Sequence, residues 1–305
     1  MANVLSGIQT TSFDIFHSTL AGQPENYKKL GRVIETDAAN LQLGLIQGGT
    51  YFTEYTAAAQ TSGINQDVLS GKVVFASKAY AQTHRVSFKE LRDNPQLAGE
   101  IAMMLAKNAG SSINKLPFDG LCALNAVDHP LVGSAINQIG TKKVFDTDFY
   151  FSQGATGEGT QSNKFTSPLS RTALEGDLQA LFNWKGTATG IPAEITAELG
   201  DLVMVTGATN AQLARQLQGS ALSGSDMQQN TLRGMFDLCE APLTRADDYY
   251  LISRKADFCG TWIRQYPMIS VLQSENGFDA IFAANFIANF WFSPEGAGAI
   301  AHIVG

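Results

Sequence analysis

The chain has 305 residues, 44% of them hydrophobic and only 16% charged, with a formal net charge of −7. That is enough apolar material for a large core in one or two domains. No run approaches the ~18 apolar residues of a membrane span, and the opening MANVLSGIQTTSFDIF lacks the basic and apolar regions of a secretory signal. Basic residues come singly or in pairs (Lys28-Lys29, Lys142-Lys143), not as the stripe that tight phosphate binding needs, so a nucleic-acid-binding role is disfavoured.

Residues 1–45 read as an extended arm. Apolar anchors such as Phe13, Phe16 and Leu20 are scattered among small and polar residues, and FDIFHSTL has room for a helical turn or two before Gln23-Pro24. A neighbouring subunit or the chain's own body could hold this arm. In YFTEYTAAAQTSGINQDVLSGKVVFASKAY (51–80), Tyr51–Tyr55 and Val73–Ala76 are aromatic and β-branched, which predicts two strands. Between them lie small and polar residues with Gly63 and Gly71 as joints, hence a long hairpin with little apolar surface in its outer half. Such a ribbon is marginal in water on its own.

Ser87-Phe88-Lys89-Glu90 fits a capping box, and Asn94-Pro95 offers a second helix start with Asn94 as N-cap. QLAGEIAMMLAKNAGSSINKL then places Leu97, Ile101, Met104, Leu105, Ile113 and Leu116 on one helical face, with Met103-Met104 read as core filling. Residues 127–175 are loop-rich, and SQGATGEGTQSN (152–163) has linker composition. A helix is expected over 174–184, a buried strand over Leu202–Val205 and a helix carrying Ala211, Leu213 and Leu217. Strands follow at 230–243, 247–255, 261–274 and 286–292, giving an α+β chain with mixed layers.

Motifs for chemistry are missing. The glycines of 152–163 form no phosphate-binding loop, and no GxSxG, SxxK or HExxH occurs. Cys122, Cys239 and Cys259 share no metal-ligand spacing and read as ordinary buried thiols of a reducing compartment. Asp247-Asp248 reads as a solvated turn, and Asp128-His129-Pro130 as a turn rather than a dyad. No enzyme activity, catalytic residue, cofactor or metal is expected.

The order of these features resembles the major capsid proteins of tailed phages that share the Hong Kong 97 fold, and among them the Mu-like prophage major head subunits. Gly49 to Tyr80 sits where that family has its extended hairpin, the E-loop, and Pro95 to Leu116 resembles its spine helix. LPFDGLCALNAVDHPLVG (116–133) is similar to the passage out of the spine, and GIPAEITAELGDLVMVTGATNAQLARQL (190–217) to a buried strand leading to a helix. Asn230–Gly234, Ala241–Leu243 and Tyr249–Ile252 resemble the strands that follow.

The resemblance implies an N-terminal arm (1–46), an E-loop hairpin (47–86), a P-domain with spine helix (87–130), an A-domain (131–262), P-domain return strands (263–292) and a C-terminal segment (293–305). It implies a shell of hexamers and pentamers around double-stranded DNA held by weak non-specific contact. It implies also a portal, a separate scaffolding protein, a possible decoration protein, no membrane partner, and a place in the virion after assembly in the host cytoplasm. Tyr51, Phe52, Glu54, Tyr55, Lys72, Val74 and Lys78 on the E-loop, and Phe13, Phe16 and Leu20 on the arm, become the candidate contacts between subunits. An encapsulin-like compartment would share the fold; a soluble hydrolase with a dispersed site is the alternative from another class.

Overall fold

The computed structural model describes residues 2–46, 69–124, 138–139, 142–143, 145, 164–183, 201–219, 232, 234–241, 247–254, 258–292 and 299–304. In chain order these form α1 (Ala2–Ala21), α2 (Tyr27–Leu30), β1 (Val33–Glu35), β2 (Asn40–Ile46), β3 (Leu69–Ala76), β4 (Lys78–Ser87), α3 (Phe88–Asp93) and α4 (Leu97–Ala123). The short β5 (Gln138–Ile139), β6 (Lys142–Lys143) and β7 (Lys164–Phe165) precede α5 (Arg171–Asn183), β8 (Leu202–Thr206) and α6 (Ala208–Gly219). The strands β9 (Phe236–Glu240), β10 (Tyr249–Ser253), β11 (Cys259–Gln273), β12 (Asp279–Phe292) and β13 (Ala299–His302) complete them.

The arm is helical where it was expected to be extended. Leu5, Ile8, Ser12, Phe16 and Leu20 recur at helical spacing, and this stripe packs against α4 and β11 of the same chain. Thr10, Thr11 and Gly7 are poor helix formers, so tertiary packing supplies the stability that intrinsic propensity does not. Gly99 on α4 lets the two helices close: a Cβ there would lie 2.9 Å from Ile15 Cδ1. Gln9 Nε2 donates to the Val271 carbonyl at 2.8 Å, tying α1 to the edge of β11.

The capping box forms as expected: the Glu90 N–H donates to Ser87 Oγ at 3.2 Å and the Ser87 N–H to Glu90 Oε2 at 3.3 Å. The long helix starts later than expected, at Leu97 with Gln96 as N-cap, and runs 27 residues through Pro117 instead of ending at Leu116. A proline inside a helix removes one hydrogen bond. Here burial of Leu116, Phe118 and Leu121 on the same helical segment outweighs that loss. Met104 departs from the expected buried face: Met103 and Met104 are 41% and 39% exposed, so they are not core filling.

Two sheets share the core. The four-stranded sheet has the order β1-β11-β12-β4, with β11–β12 and β12–β4 antiparallel and β1 parallel to β11. Ile269 and Val271 on β11, and Ala280, Phe282 and Ala284 on β12, face α1 and α4. The five-stranded sheet has the order β7-β13-β10-β8-β9. One of its faces (Met204, Tyr249, Leu251, Ile300) packs on α5 and α6; the other (Val203, Val205, Tyr250, Ile252) joins a core with the end of α4 and the Trp262, Phe290, Trp291 and Phe292 region. β11 and β12 are therefore continuous across both cores. The expected boundary between residues 262 and 263 falls inside β11, and the C-terminal segment supplies β13 within the five-stranded sheet.

The hairpin also starts earlier than expected. The strand paired with β3 is β2, in the register Asn40↔Ala76 to Leu43↔Val73, so Val73–Ala76 is a strand as anticipated but pairs ten or so residues before Tyr51. The predicted strand Tyr51–Tyr55 lies outside the described residues. The 51–80 passage does not end as a free ribbon: β4 leaves β3 at Ser77 and becomes a strand of the four-stranded sheet.

Candidate subunit interface

The hairpin base is fixed to the body at defined points. Phe75 is buried and meets Phe292 edge-on with ring centroids 5.2 Å apart, and Asn289 Nδ2 donates to the Ala76 carbonyl at 2.8 Å. The Ser77 N–H donates to the Ala39 carbonyl at 3.2 Å. Next along the chain, Tyr80 stacks on Phe286 at 4.8 Å. These contacts make the base a rigid mount.

Among the described residues, helices α1 and α4 cover one face of the four-stranded sheet. Strand alternation puts Met268, Ser270 and Leu272 of β11, and Ile281, Ala283 and Ile287 of β12, on the opposite face. Leu272 is 56% exposed. At one end of this face Arg85 Nε donates to Asp279 Oδ2 at 2.8 Å, and that hydrogen bond, with a second from Asn276, holds the Asp279 carboxyl below the usual carboxylate range. At its other end Gln265 Nε2 donates to Asn285 Oδ1 at 2.9 Å, and Tyr266 O–H donates to Glu35. Between these charged ends the face is uncharged and partly apolar, hence inexpensive to desolvate, which suits a partner rather than water.

The candidate contacts fall in different places. Tyr51, Phe52, Glu54 and Tyr55 lie outside the described residues; Lys72 and Val74 stand on β3 opposite Gly44 and Gln42, and Lys78 is half-buried on β4. Phe16 is fully buried within the chain's own core, which removes it from any contact surface, and Leu20 is packed beside it; Phe13 is 48% exposed. Tyr266, Met268, Leu272 and Phe278 were not singled out, because alternation in β11 is legible only once its partner strand and covering helices are known.

A polar cluster at the C-terminal strand has the residue types of hydrolytic chemistry. His302 Nε2 lies 2.8 Å from Asp177 Oδ2, and Nδ1 lies 3.1 Å from Ser167 Oγ and 3.0 Å from the Ser167 carbonyl. Tyr249 O–H donates to Asp177 Oδ2 at 3.3 Å; burial, then Asp177, push its phenol well above the ordinary value. The imidazole is stacked between Tyr249 at 4.2 Å and Phe165 at 5.1 Å. What the cluster does is fasten β13 to α5 and β10. Asp248, expected in a solvated turn, is buried, with Oδ1 accepting the Val304 N–H at 3.1 Å. The three cysteines are free and buried, and burial raises the Cys239 and Cys259 thiols. Among the described residues no group of three or more His, Cys, Asp or Glu side chains could hold a metal, and no helix is long and apolar enough to cross a membrane.

The sequence matches no protein-family model and no curated protein. Solved structures do match. The procapsid of bacteriophage JBD30 aligns over 99% of this chain and 75% of its own, at 16% identity and a TM-score of 0.54. The virus-like particle from Pyrococcus furiosus aligns over 97% and 99%, at 10% identity and 0.52, and the capsid of the Myoviridae phage XM1 over 92% of both chains, at 13% and 0.52. This chain has the Hong Kong 97 capsid fold. At these identities the likeness fixes the path of the chain and leaves its contacts to be argued from its own residues.

Proposed function

We propose that this chain is a major capsid protein that assembles into a closed shell of hexamers and pentamers enclosing double-stranded DNA of a tailed phage, with Mu-like head subunits as its nearest kin. The single observation that carries the reading is the combination of a capsid fold with a sheet face that no described helix covers, on the side opposite α1 and α4. The four-stranded sheet with α3 and α4 corresponds to the P-domain, the five-stranded sheet with α5 and α6 to the A-domain, and residues 40–76 to the E-loop. The open face around Leu272, Ile281 and Met268 receives the E-loop of a neighbouring copy, while the rigid mount at Phe75 and Asn289 aims this chain's own loop at the next. Many modest contacts of this kind close a shell by symmetry. The net charge of −7 suits weak DNA contact rather than tight binding. The reading brings with it a portal and a separate scaffolding protein as partners, room for a decoration protein, and a virion assembled in the host cytoplasm.

The test is electron microscopy of the purified chain beside a variant lacking residues 51–66. The intact chain is expected to give capsomers or closed particles; the variant is expected to stay folded by circular dichroism yet form none. Normal particles from the shortened chain would defeat the role given to the hairpin.

A further inference from the structure

The turn between β11 and β12 displays the most exposed of the large hydrophobic side chains described: Phe278 is 74% exposed. Its backbone is nevertheless locked. The Phe278 N–H donates to Asn276 Oδ1 at 3.1 Å, and its carbonyl accepts the Phe88 N–H at 2.9 Å. The Gly277 N–H donates to the Ser274 carbonyl at 2.9 Å, Gln273 Nε2 donates to the Gly277 carbonyl at 3.0 Å, and the Asp279 N–H to Ser274 Oγ at 3.2 Å. Gly277 sits at φ +75°, a conformation that glycine alone adopts without strain. A large aromatic ring held in water on an ordered turn has little freedom left to lose on docking, which is the property of an interface anchor.

Directly beside this ring is an apolar groove of about 730 Å³ between the start of α1 and α3, lined by Leu5, Ile8, Phe88, Leu91 and Pro95. Phe278 forms part of its rim but does not fill it, because hydrogen bonds on both sides of the residue fix where the ring leaves the backbone. Charge is arranged in the same complementary sense. Glu275 is exposed on the turn that carries the knob, and Lys89 and Arg92 stand on the wall of the groove.

We infer that Phe278 is an assembly anchor that seats in the groove of a second copy of this chain, with Glu275 facing the partner's Lys89 and Arg92. A knob and its hole side by side on one surface are self-complementary, so either a two-fold pair or a closed ring of copies satisfies both. The inference rests on the self-assembly reading and names one contact of it.

Three measurements on the full chain test it. Phe278→Ala is expected to raise the concentration needed for assembly roughly tenfold or more, as loss of an interface anchor does, with an unchanged unfolding midpoint. Glu275→Lys and the double variant Lys89→Glu/Arg92→Glu are each expected to weaken assembly, and their combination in one chain to restore it. Finally, a Phe278→Cys chain mixed with an Ile8→Cys chain is expected to give a disulfide-linked dimer carrying one of each. Only contact in trans produces that species. Wild-type chain that stays monomeric at high concentration defeats both the self-assembly reading and this contact. Wild-type shells together with normal assembly of Phe278→Ala, or with no mixed dimer, overturn the contact alone; in the latter case a different protein or the chain's own N-terminus occupies the groove.

Discussion

Gly120→Ala sets helix propensity against packing where α4 meets β12. In an open helix interior, replacing glycine by alanine gains up to about 1 kcal/mol. At Gly120 the added Cβ would lie 2.6 Å from Phe290 Cβ and closer still to Cγ and Cδ1 of the same ring. That ring is buried and packed beside Phe292, with centroids 6.2 Å apart, so it has no free direction in which to retreat. Overpacking of this kind costs about 1–3 kcal/mol, or more where backbone has to shift. The upper part of that range applies because the obstacle includes Cβ, which moves only with the strand, so a net loss of about 2 kcal/mol is expected. Gly176→Ala in α5 is the matched control: nothing lies within 4 Å of its added Cβ, and it is expected to stabilise by up to about 1 kcal/mol. Urea denaturation of unassembled subunits measures both. In a Phe290→Ala background, which removes Cγ and Cδ1 but keeps Cβ, the loss from Gly120→Ala should shrink without vanishing, and the double-mutant cycle should show a coupling above about 1 kcal/mol. An upward shift of the midpoint for Gly120→Ala in the wild-type background, equal to that of Gly176→Ala, would refute the packing argument.

Two further outcomes follow from the contacts. His302→Ala leaves the buried Asp177 with Tyr249 as a hydrogen-bond partner and is expected to cost about 1–3 kcal/mol, with the loss of protection in hydrogen exchange concentrated in residues 299–304; uniform loss across the chain would contradict the fastening role. Asp279 is held in its charged form by Arg85 and Asn276, so its contribution is present above the unfolded carboxylate value near pH 4 and lost as pH falls below it. The stability gap between wild type and Asp279→Asn should therefore be open at neutral pH and close in acid; a gap that stays constant with pH would rule this out.

Much of the architecture is readable from local pattern. Leu202–Val205 is uniformly apolar and lies in β8, buried on both sides, and the capping box at Ser87 depends only on residues three apart. What escapes the pattern has a physical cause in each case. α1 has weak propensity and few anchors, and it is a helix because α4 and β11 offer it a groove. Asn285 and Asn289 interrupt the apolar run of 278–292, yet β12 alternates, so both point away from the core, where they bond to Gln265 and the Ala76 carbonyl. Asp177 and His302 are 125 residues apart, and no spacing rule connects them. Of the candidate interface, the strand Val73–Ala76 is legible from its β-branched and aromatic residues, but its pairing with Asn40–Leu43 is not. The exposed side chains of β11 and the Phe278 turn are not legible either, since exposure depends on which face the helices cover.

The passage of β11 and β12 through two cores, with register shifts between Ile263 and Met268, has a mechanical consequence. Fifteen and fourteen residues long, the pair is a beam clamped at one end by α1 and α4 and at the other by the aromatic cluster around Trp262 and Trp291. Neither half can lose its packing without loosening strands that the other half needs, so the subunit should melt in one transition despite its two sheets. Load applied at the turn would travel along the paired strands toward the distant sheet.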